Sequence, residues 1–263
     1  MNRVIFKKAV FDRKISTTAW CITLGAFAML YASLFSTFAG NIGNFASSLP
    51  KEMEAFTGSI QLASRPEGFL GIELYGLLLP IILAVVGLTF GAGAIGKEED
   101  DGTLDVLLAN PISRHSIIIQ KIAAIKVTLL IICGFTWLAI ALGKLLFEFE
   151  VNLINVGYAT LAVYLLAMVY AMTAFATQAI TGKRSLGIAI GSGLLAFTYV
   201  ADVVSKLVSR FENLKYISPF YYYDFSNVLF GNGKVENFII LAMVSVGLYA
   251  VAHFAFLQRD TSV

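Results

Sequence analysis

The sequence is short of charge. Asp, Glu, Lys and Arg make up 14% of its 263 residues, against roughly 25% in soluble domains. Cysteine is scarce as well: there is only Cys21 and Cys133, which excludes a disulfide-stapled secreted domain. His115 and His253 are the two histidines. They stand on no metal spacing, and neither H-E-x-x-H nor G-x-S-x-G occurs, so zinc hydrolysis and serine-nucleophile chemistry have no motif to rest on. A net charge of +2 is too small to argue for nucleic acid. What abounds is apolar surface. Hydrophobic residues reach 58%. Disorder is excluded, because it needs low hydropathy and high charge. A soluble globule of this length cannot hide so much apolar area, so the composition points to a polytopic membrane protein.

A helix needs about 20 apolar residues to cross the hydrocarbon core. Six stretches qualify, at approximately 17–38, 74–95, 122–146, 156–180, 186–204 and 238–257. The alternation of a membrane barrel is missing. The expected fold is all-α, a single transmembrane domain over 1–263 with six spans. Lys and Arg accumulate in cytoplasmic loops. Arg3, Lys7, Lys8, Arg13 and Lys14 precede the first span, Lys97, Arg114 and Lys121 lie in the second connection, and Lys183 and Arg184 in the fourth. The longer first and fifth connections carry a sparser set: Lys51, Arg65, Lys206, Arg210, Lys215 and Lys234. Both termini are therefore expected inside. The first span exceeds a signal-peptide h-region and no A-x-A-like site follows it, so it is expected to stay. Pro80 is expected to kink the second span.

Gly91-Ala-Gly93-Ala-Ile95-Gly96-Lys97 mimics two phosphate-binding motifs. Those motifs present backbone N–H groups at a helix N-terminus. Here the glycines end a span, Glu98 stands where a P-loop needs Ser or Thr, and Glu99, Asp100 and Asp101 would repel phosphate. Helix packing is the expected role. Gly87-x-x-x-Gly91 and Gly187-x-x-x-Gly191 have the small-xxx-small spacing that lets membrane helices approach closely. Ionisable groups within spans are functional candidates by default. Lys126 sits one turn inside the third span and can snorkel. Lys144 has Glu148 at i+4, and Asp202 has Lys206 at i+4. Lys126, Gln178 and Asp202 are the candidate pathway residues, with structural anchoring as the alternative; Glu73 is a weaker candidate. His253 reads as packed or as part of a proton relay.

The second connection is the most specific segment. Asp101 or Thr103 can cap a short helix. Leu104, Leu107 and Leu108 fall at i, i+3 and i+4 and share one face. Pro111 ends that helix and Ser113 caps the next, which runs from Arg114 into the third span. Roughly 33 helical residues reach about 50 Å, more than the ~30 Å core, so this helix projects into the cytoplasm or bends at the interface. A short amphipathic helix held between two spans can act as a lever in a partner's groove. Alternatively it lies on the membrane or packs on its own bundle.

The run Glu98, Gly102-Thr103-Leu104, Leu107-Leu108, Pro111, Ser113-Arg114 and Lys121 resembles the signature of type 2 ABC export permeases. Ile217-Ser218-Pro219-Phe220-Tyr221-Tyr222 is similar to that family's stretch before the last span, and the basic start, Phe6-Lys7-Lys8 through Phe11 to Arg13-Lys14, is similar too. The resemblance implies six helices forming half of a transport pathway, a second permease subunit (the same chain or a close paralogue), and two cytoplasmic ATPase subunits. It also implies an ATPase-coupling role for Glu98, Gly102, Thr103, Leu104, Asp105, Leu107, Leu108, Pro111, Ser113 and Arg114. The helix bearing Phe6, Lys7, Lys8, Phe11, Arg13 and Lys14 would lie along the inner leaflet. The fifth connection, with Pro219, Phe220, Tyr221, Tyr222 and Tyr223, would fold partly back into the outer leaflet as an interfacial aromatic segment. The acidic run Glu98–Asp101 departs from some members, and would pair with a basic patch on the ATPase or remain a solvated turn.

The resulting expectation is an exporter permease without a catalytic site. It binds no cofactor, metal or nucleic acid; ATP and Mg belong to the partner. The setting is the bilayer, expected to be a bacterial plasma membrane. A passive channel or assembly subunit is the alternative, and an intramembrane enzyme a further one. An apolar, aromatic-rich path favours amphipathic or hydrophobic cargo, such as a cytolytic or antimicrobial peptide.

Overall fold

The apolar runs become helices because lipid offers their backbone groups no partner outside the segment. The computed structural model describes residues 4–46, 65–109, 112–147 and 149–259, with side chains except at 36–46 and 108. Arg3, Lys51, Pro111 and Glu148 lie outside the described residues. All regular structure among the described residues is helical. In chain order α1 is Val4–Asp12, α2 Lys14–Ala46, α3 Pro66–Ala92, α4 Gly96–Asp100, α5 Leu104–Leu108 and α6 Arg114–Leu146. Then come α7 Leu153–Thr181, α8 Arg184–Leu207, a 3-10 segment Ser209–Ile217, α9 Pro219–Tyr223, α10 Phe225–Leu229 and α11 Val235–Gln258. Six of these (α2, α3, α6, α7, α8 and α11) are long and apolar enough to cross a membrane.

The six expected spans match these helices, with one shifted. The second helix starts at Pro66, well before residue 74, and ends at Ala92. Gly93, Ala94 and Ile95 form a turn instead of a last helical turn. Their apolar composition hides that break. Helix α6 does run unbroken from Arg114 to Leu146, and Ser113 Oγ caps it by accepting from Ser116 N at 3.2 Å.

Helix α7 is the centre, with 83% of its apolar window buried against 22% for α2 and α11. The glycine pairs make its neighbours fit. A Cβ on Gly87 would stand 2.6 Å from the Ala167 carbonyl oxygen, and one on Gly91 would collide with the Ala171 carbonyl. On α8, a Cβ on Gly187 would stand 2.7 Å from the Ala174 carbonyl, and one on Gly191 would strike Leu88. Gly87, Gly91 and Gly187 therefore set helices backbone to backbone on α7, and Gly191 makes room for the Leu88 side chain of α3. Polar side chains in the spans are spent on the same packing. Tyr75 and Thr160 share a hydrogen bond of 2.7 Å between α3 and α7, as do Tyr170 and Thr198 between α7 and α8. Thr128, Thr136 and Thr173 donate to carbonyls one turn back in their own helices.

Within α3 the stretch Gly71–Leu78 is π-helical. Leu79 N donates to the Leu74 carbonyl, five residues back. The next donor in that register would be Pro80, which has no N–H. The Tyr75 carbonyl is thereby orphaned, and Tyr223 OH from α9 donates to it at 2.9 Å. What the structure has at Pro80 is a change of hydrogen-bond register N-terminal to the proline.

The connection between α8 and α11 packs inward. Ser218 Oγ donates to the Thr198 carbonyl at 2.8 Å and accepts from Phe220 N. Phe220 meets the rings of Tyr170 and Tyr199, with centroids 6.0 and 5.3 Å away. Phe220 and Tyr223 are buried, which corrects the expectation of an interfacial aromatic row; Tyr221 and Tyr222 are half-buried.

Candidate functional site

The connection between α3 and α6 is held in shape by its own backbone. Helix α4 closes with Gly102 N donating to the Glu99 carbonyl at 3.1 Å and Thr103 N to the Glu98 carbonyl at 2.8 Å. That is the Schellman pattern, which needs a left-handed residue between its two donors. Gly102 supplies it, with φ +63°. The spacing of Glu98, Gly102 and Thr103 thus has a structural cause: they are the residues that close α4 and start α5. Thr103 stands at the N-cap of α5 without capping it. Its hydroxyl turns back to the Glu98 carbonyl at 3.4 Å.

The apolar face of α5 points inward. Leu104 is 7% exposed and belongs to the main core, and Leu107 packs against that core. Of the readings open for this face, packing on its own bundle is the one these two leucines adopt. The outward residues are Asp105 and Val106, the latter 68% exposed, followed by Ala109.

Part of the acidic run is drawn into the bundle. Glu98 pairs with Lys121 of α6. Glu99 accepts from Arg259 Nη2 at 2.6 Å on one oxygen and from Gln178 Nε2 of α7 at 2.7 Å on the other. Asp100 stands 3.7 Å from Arg184 at the start of α8. Asp100 and Asp101 are both exposed, and of the four only Asp101 forms no ion pair among the described residues. Arg259, just past α11, also receives Arg114 Nη1 on its carbonyl at 3.0 Å and lies against Gly182, the left-handed residue closing α7. One short turn thereby ties together the ends of α6, α7, α8 and α11. Glu98 and Lys121 side chains are 18% and 8% exposed, so this pair sits where removing one partner is costly.

The N-terminal helix reaches the same place. Phe6 N donates to Gln120 Oε1 at 3.1 Å, and Ile5 and Ala9 are buried. Lys7, Lys8 and Phe11 are exposed, and Lys14 Nζ lies 3.6 Å from the Phe11 ring centroid. Arg13 departs from the expected headgroup-facing row. Its Nη2 donates to the Phe90 carbonyl at 3.2 Å, and its guanidinium lies over the Phe90 ring. Burial pulls its pKa down to about 10, against the opposing pull of Glu98 and Asp12. Both ends of the described chain therefore gather around α4 and α5.

The three candidate pathway residues are not brought together. Gln178 is fully buried but serves the acidic turn. Lys126 is exposed, as is Glu73. Asp202 is buried at the far end of α8, where Lys206 donates to its Oδ2 at 2.7 Å, as the i+4 spacing implies. Lys144 bonds the Val151 carbonyl at 2.9 Å and pairs with Glu150 at 3.2 Å; Glu148 is outside the described residues. Arg259 carries no signal in the sequence, Arg184 stands out there only as a topology charge, and nothing in the spacing of the histidines relates them. His115 Nδ1 and His253 Nε2 lie 2.9 Å apart, joining the start of α6 to α11. Among the described residues no three His, Cys, Asp or Glu side chains form a metal-binding group.

These features define a multi-pass, all-helical membrane protein whose most constrained polar structure is a connection rather than a catalytic pocket. The family model for the ABC-2 family transporter protein matches residues 4–261, and the chain belongs to that family. It is a transport membrane component; in such systems the ATPase is a separate subunit, so the family implies partnership with an ABC ATPase and with the bilayer. No curated protein matches the chain.

Proposed function

We propose that this chain is one half of the pathway of an ABC exporter, working as a pair of permease subunits with two ATPase subunits that bind ATP and Mg. The supporting observation is the frame around α4 and α5. A short exposed helix is fixed by closed backbone hydrogen bonds to a turn whose carboxylates hold four other helix ends. Force applied to the outer face of α5 would reach α6, α7, α8 and α11 together. In this reading α5 is the coupling helix, Asp105 and Val106 meet the ATPase, and Leu104 and Leu107 anchor the helix to the bundle. Glu98, Gly102, Thr103, Ser113 and Arg114 shape the connection, as Leu108 and Pro111 do in the resemblance.

The density of Lys and Arg around this end supports reading it, with both termini, as cytoplasmic, and the membrane in this reading is a bacterial plasma membrane. The opposite end, with the 3-10 segment, α9 and α10, is then extracellular and partly re-entrant. The threonines bonded to their own helices leave a mainly apolar interior, which suits amphipathic or hydrophobic cargo, a cytolytic or antimicrobial peptide first among them.

The experiment is to purify the chain with its partner ABC ATPase and measure ATP turnover. Val106→Asp, together with Asp105→Arg, is expected to cut complex formation or permease-stimulated turnover at least tenfold without changing the melting temperature of the permease. Unchanged complex formation and turnover would sink the coupling assignment. Vesicles loaded with ATP and an amphipathic peptide then test the direction and class of cargo.

A further inference from the structure

A cavity of about 410 Å³ opens at the end of the bundle remote from α4 and α5, between α8, the helices α9 and α10, and the start of α11. None of the residues that build the coupling frame lines it. Its walls carry the rings of Tyr199, Phe220, Tyr221 and Tyr223. They also carry Asp202, whose side chain is 7% exposed, and Lys234. Hydrogen bonding around this cavity is incomplete. Lys206 takes Asp202 Oδ2, yet Oδ1 is buried with no partner, and the buried Tyr199 hydroxyl has none either. A carboxylate oxygen in that state calls for a donor, because leaving it unmet carries its full desolvation cost. Asp224, the other carboxylate lining the cavity, is engaged differently: Asn227 Nδ2 lies 3.0 Å from each of its oxygens. Lys234, exposed at the rim, forms no ion pair among the described residues.

We propose that this cavity binds a zwitterionic head group, a primary ammonium beside a phosphate or carboxylate. The ammonium donates to Asp202 Oδ1 and lies among the aromatic rings, whose faces attract cations. The anion stays at the rim with Lys234. A primary ammonium fits because the orphaned oxygen needs an N–H donor; a quaternary choline has none to give. A purely anionic head group would bring no donor to Asp202 Oδ1, and a purely cationic one would bring no anion to Lys234, which Asp224 reaches only through its field. The same chemistry is offered by a phosphatidylethanolamine lipid at the membrane surface and by a soluble zwitterion. The site stands independently of the export reading.

The test uses the full chain purified in detergent and offered equal amounts of phosphatidylethanolamine, phosphatidylcholine and phosphatidylglycerol, with bound lipid counted by native mass spectrometry. Phosphatidylethanolamine is expected to be retained about tenfold over the other two, the value of one charge-assisted hydrogen bond. Asp202→Asn should abolish the preference, and Lys234→Gln, at an exposed position, should weaken it several-fold. Should Asp202→Asn fail to fold, Tyr199→Phe and Lys234→Gln carry the test. A second arm titrates glycerophosphoethanolamine. Lipid retention points to the bilayer as the source; binding of the soluble head group without lipid preference points to a soluble zwitterion, and either supports the site. Equal retention of the three lipids with no binding of the soluble head group overturns it, as does a preference that survives both Asp202→Asn and Lys234→Gln.

Discussion

Glu98 shows how much one side chain near the end of a membrane helix can hold. Its carboxylate pairs with Lys121, its carbonyl accepts the backbone bond from Thr103, and its field reaches Arg13. Replacing it with Gln leaves Lys121, 8% exposed, with a neutral partner. The expected cost is about 3 kcal/mol, seen as a lower melting temperature of the purified chain in detergent. Adding Lys121→Met should recover part of it, because the second change removes the stranded charge. No recovery would mean that the pair is not the energetic unit. Residue by residue, the sequence showed the closure of this turn better than its electrostatics. The Gly102-Thr103 step carries local information that backbone geometry obliges. The partners of Glu99 do not: Gln178 and Arg259 lie 79 and 160 residues away, and no periodicity links them. The histidine contact, across 138 residues, was illegible for the same reason.

Between helices, contact is set by where side chains are missing. Gly91 lies so close to the Ala171 carbonyl that one methyl group cannot enter. Gly91→Ala is therefore expected to separate α3 from α7, with loss of expressed, monodisperse protein. Gly134→Ala is the contrast. A Cβ there meets nothing within 4 Å, and the better helix former should leave stability unchanged or raise it by up to about 1 kcal/mol. Both are read by yield and melting temperature. The π-helical stretch offers a sharper test. Tyr223→Phe removes the donor to the Tyr75 carbonyl and should destabilise the chain by about 1–2 kcal/mol. In a Pro80→Ala background, where a backbone N–H is restored, the same change should cost less. Equal costs in both backgrounds would show that the proline is not what frees that carbonyl. The spans themselves were readable because apolar length is a direct requirement of the bilayer. The turn at Gly93–Ile95 was not, since its residues are as apolar as the helix before it. The facing of α5 stays open in the sequence because i, i+3, i+4 spacing identifies an apolar face without saying what covers it.

Across the whole molecule the two ends differ in construction. One gathers carboxylates, arginines and both ends of the described chain around α4 and α5; the other is closed by short aromatic helices. An antiparallel bundle of this kind must place them on opposite faces of a membrane. Cysteines introduced by Val106→Cys and Phe211→Cys test this, because positions 106 and 211 are 68% and 47% exposed while native Cys21 and Cys133 are buried. An impermeant maleimide is expected to label position 211 in intact cells and position 106 only after the membrane is opened. Labelling of both from one side would refute the arrangement.

The bond from Tyr223 to Tyr75 also bears on how the protein is made. Its donor is synthesised 148 residues after its acceptor. While the ribosome is still extending α7 and α8, the second span is already complete in sequence but lacks one backbone partner. A nascent chain halted before α9 would present that carbonyl to water or lipid headgroups, and the α3 segment would be held less firmly against its neighbours. This contact of the bundle interior thus waits until five of the six long apolar helices have been made, and a chain truncated before α9 should betray the gap as an α3 that is more readily cleaved.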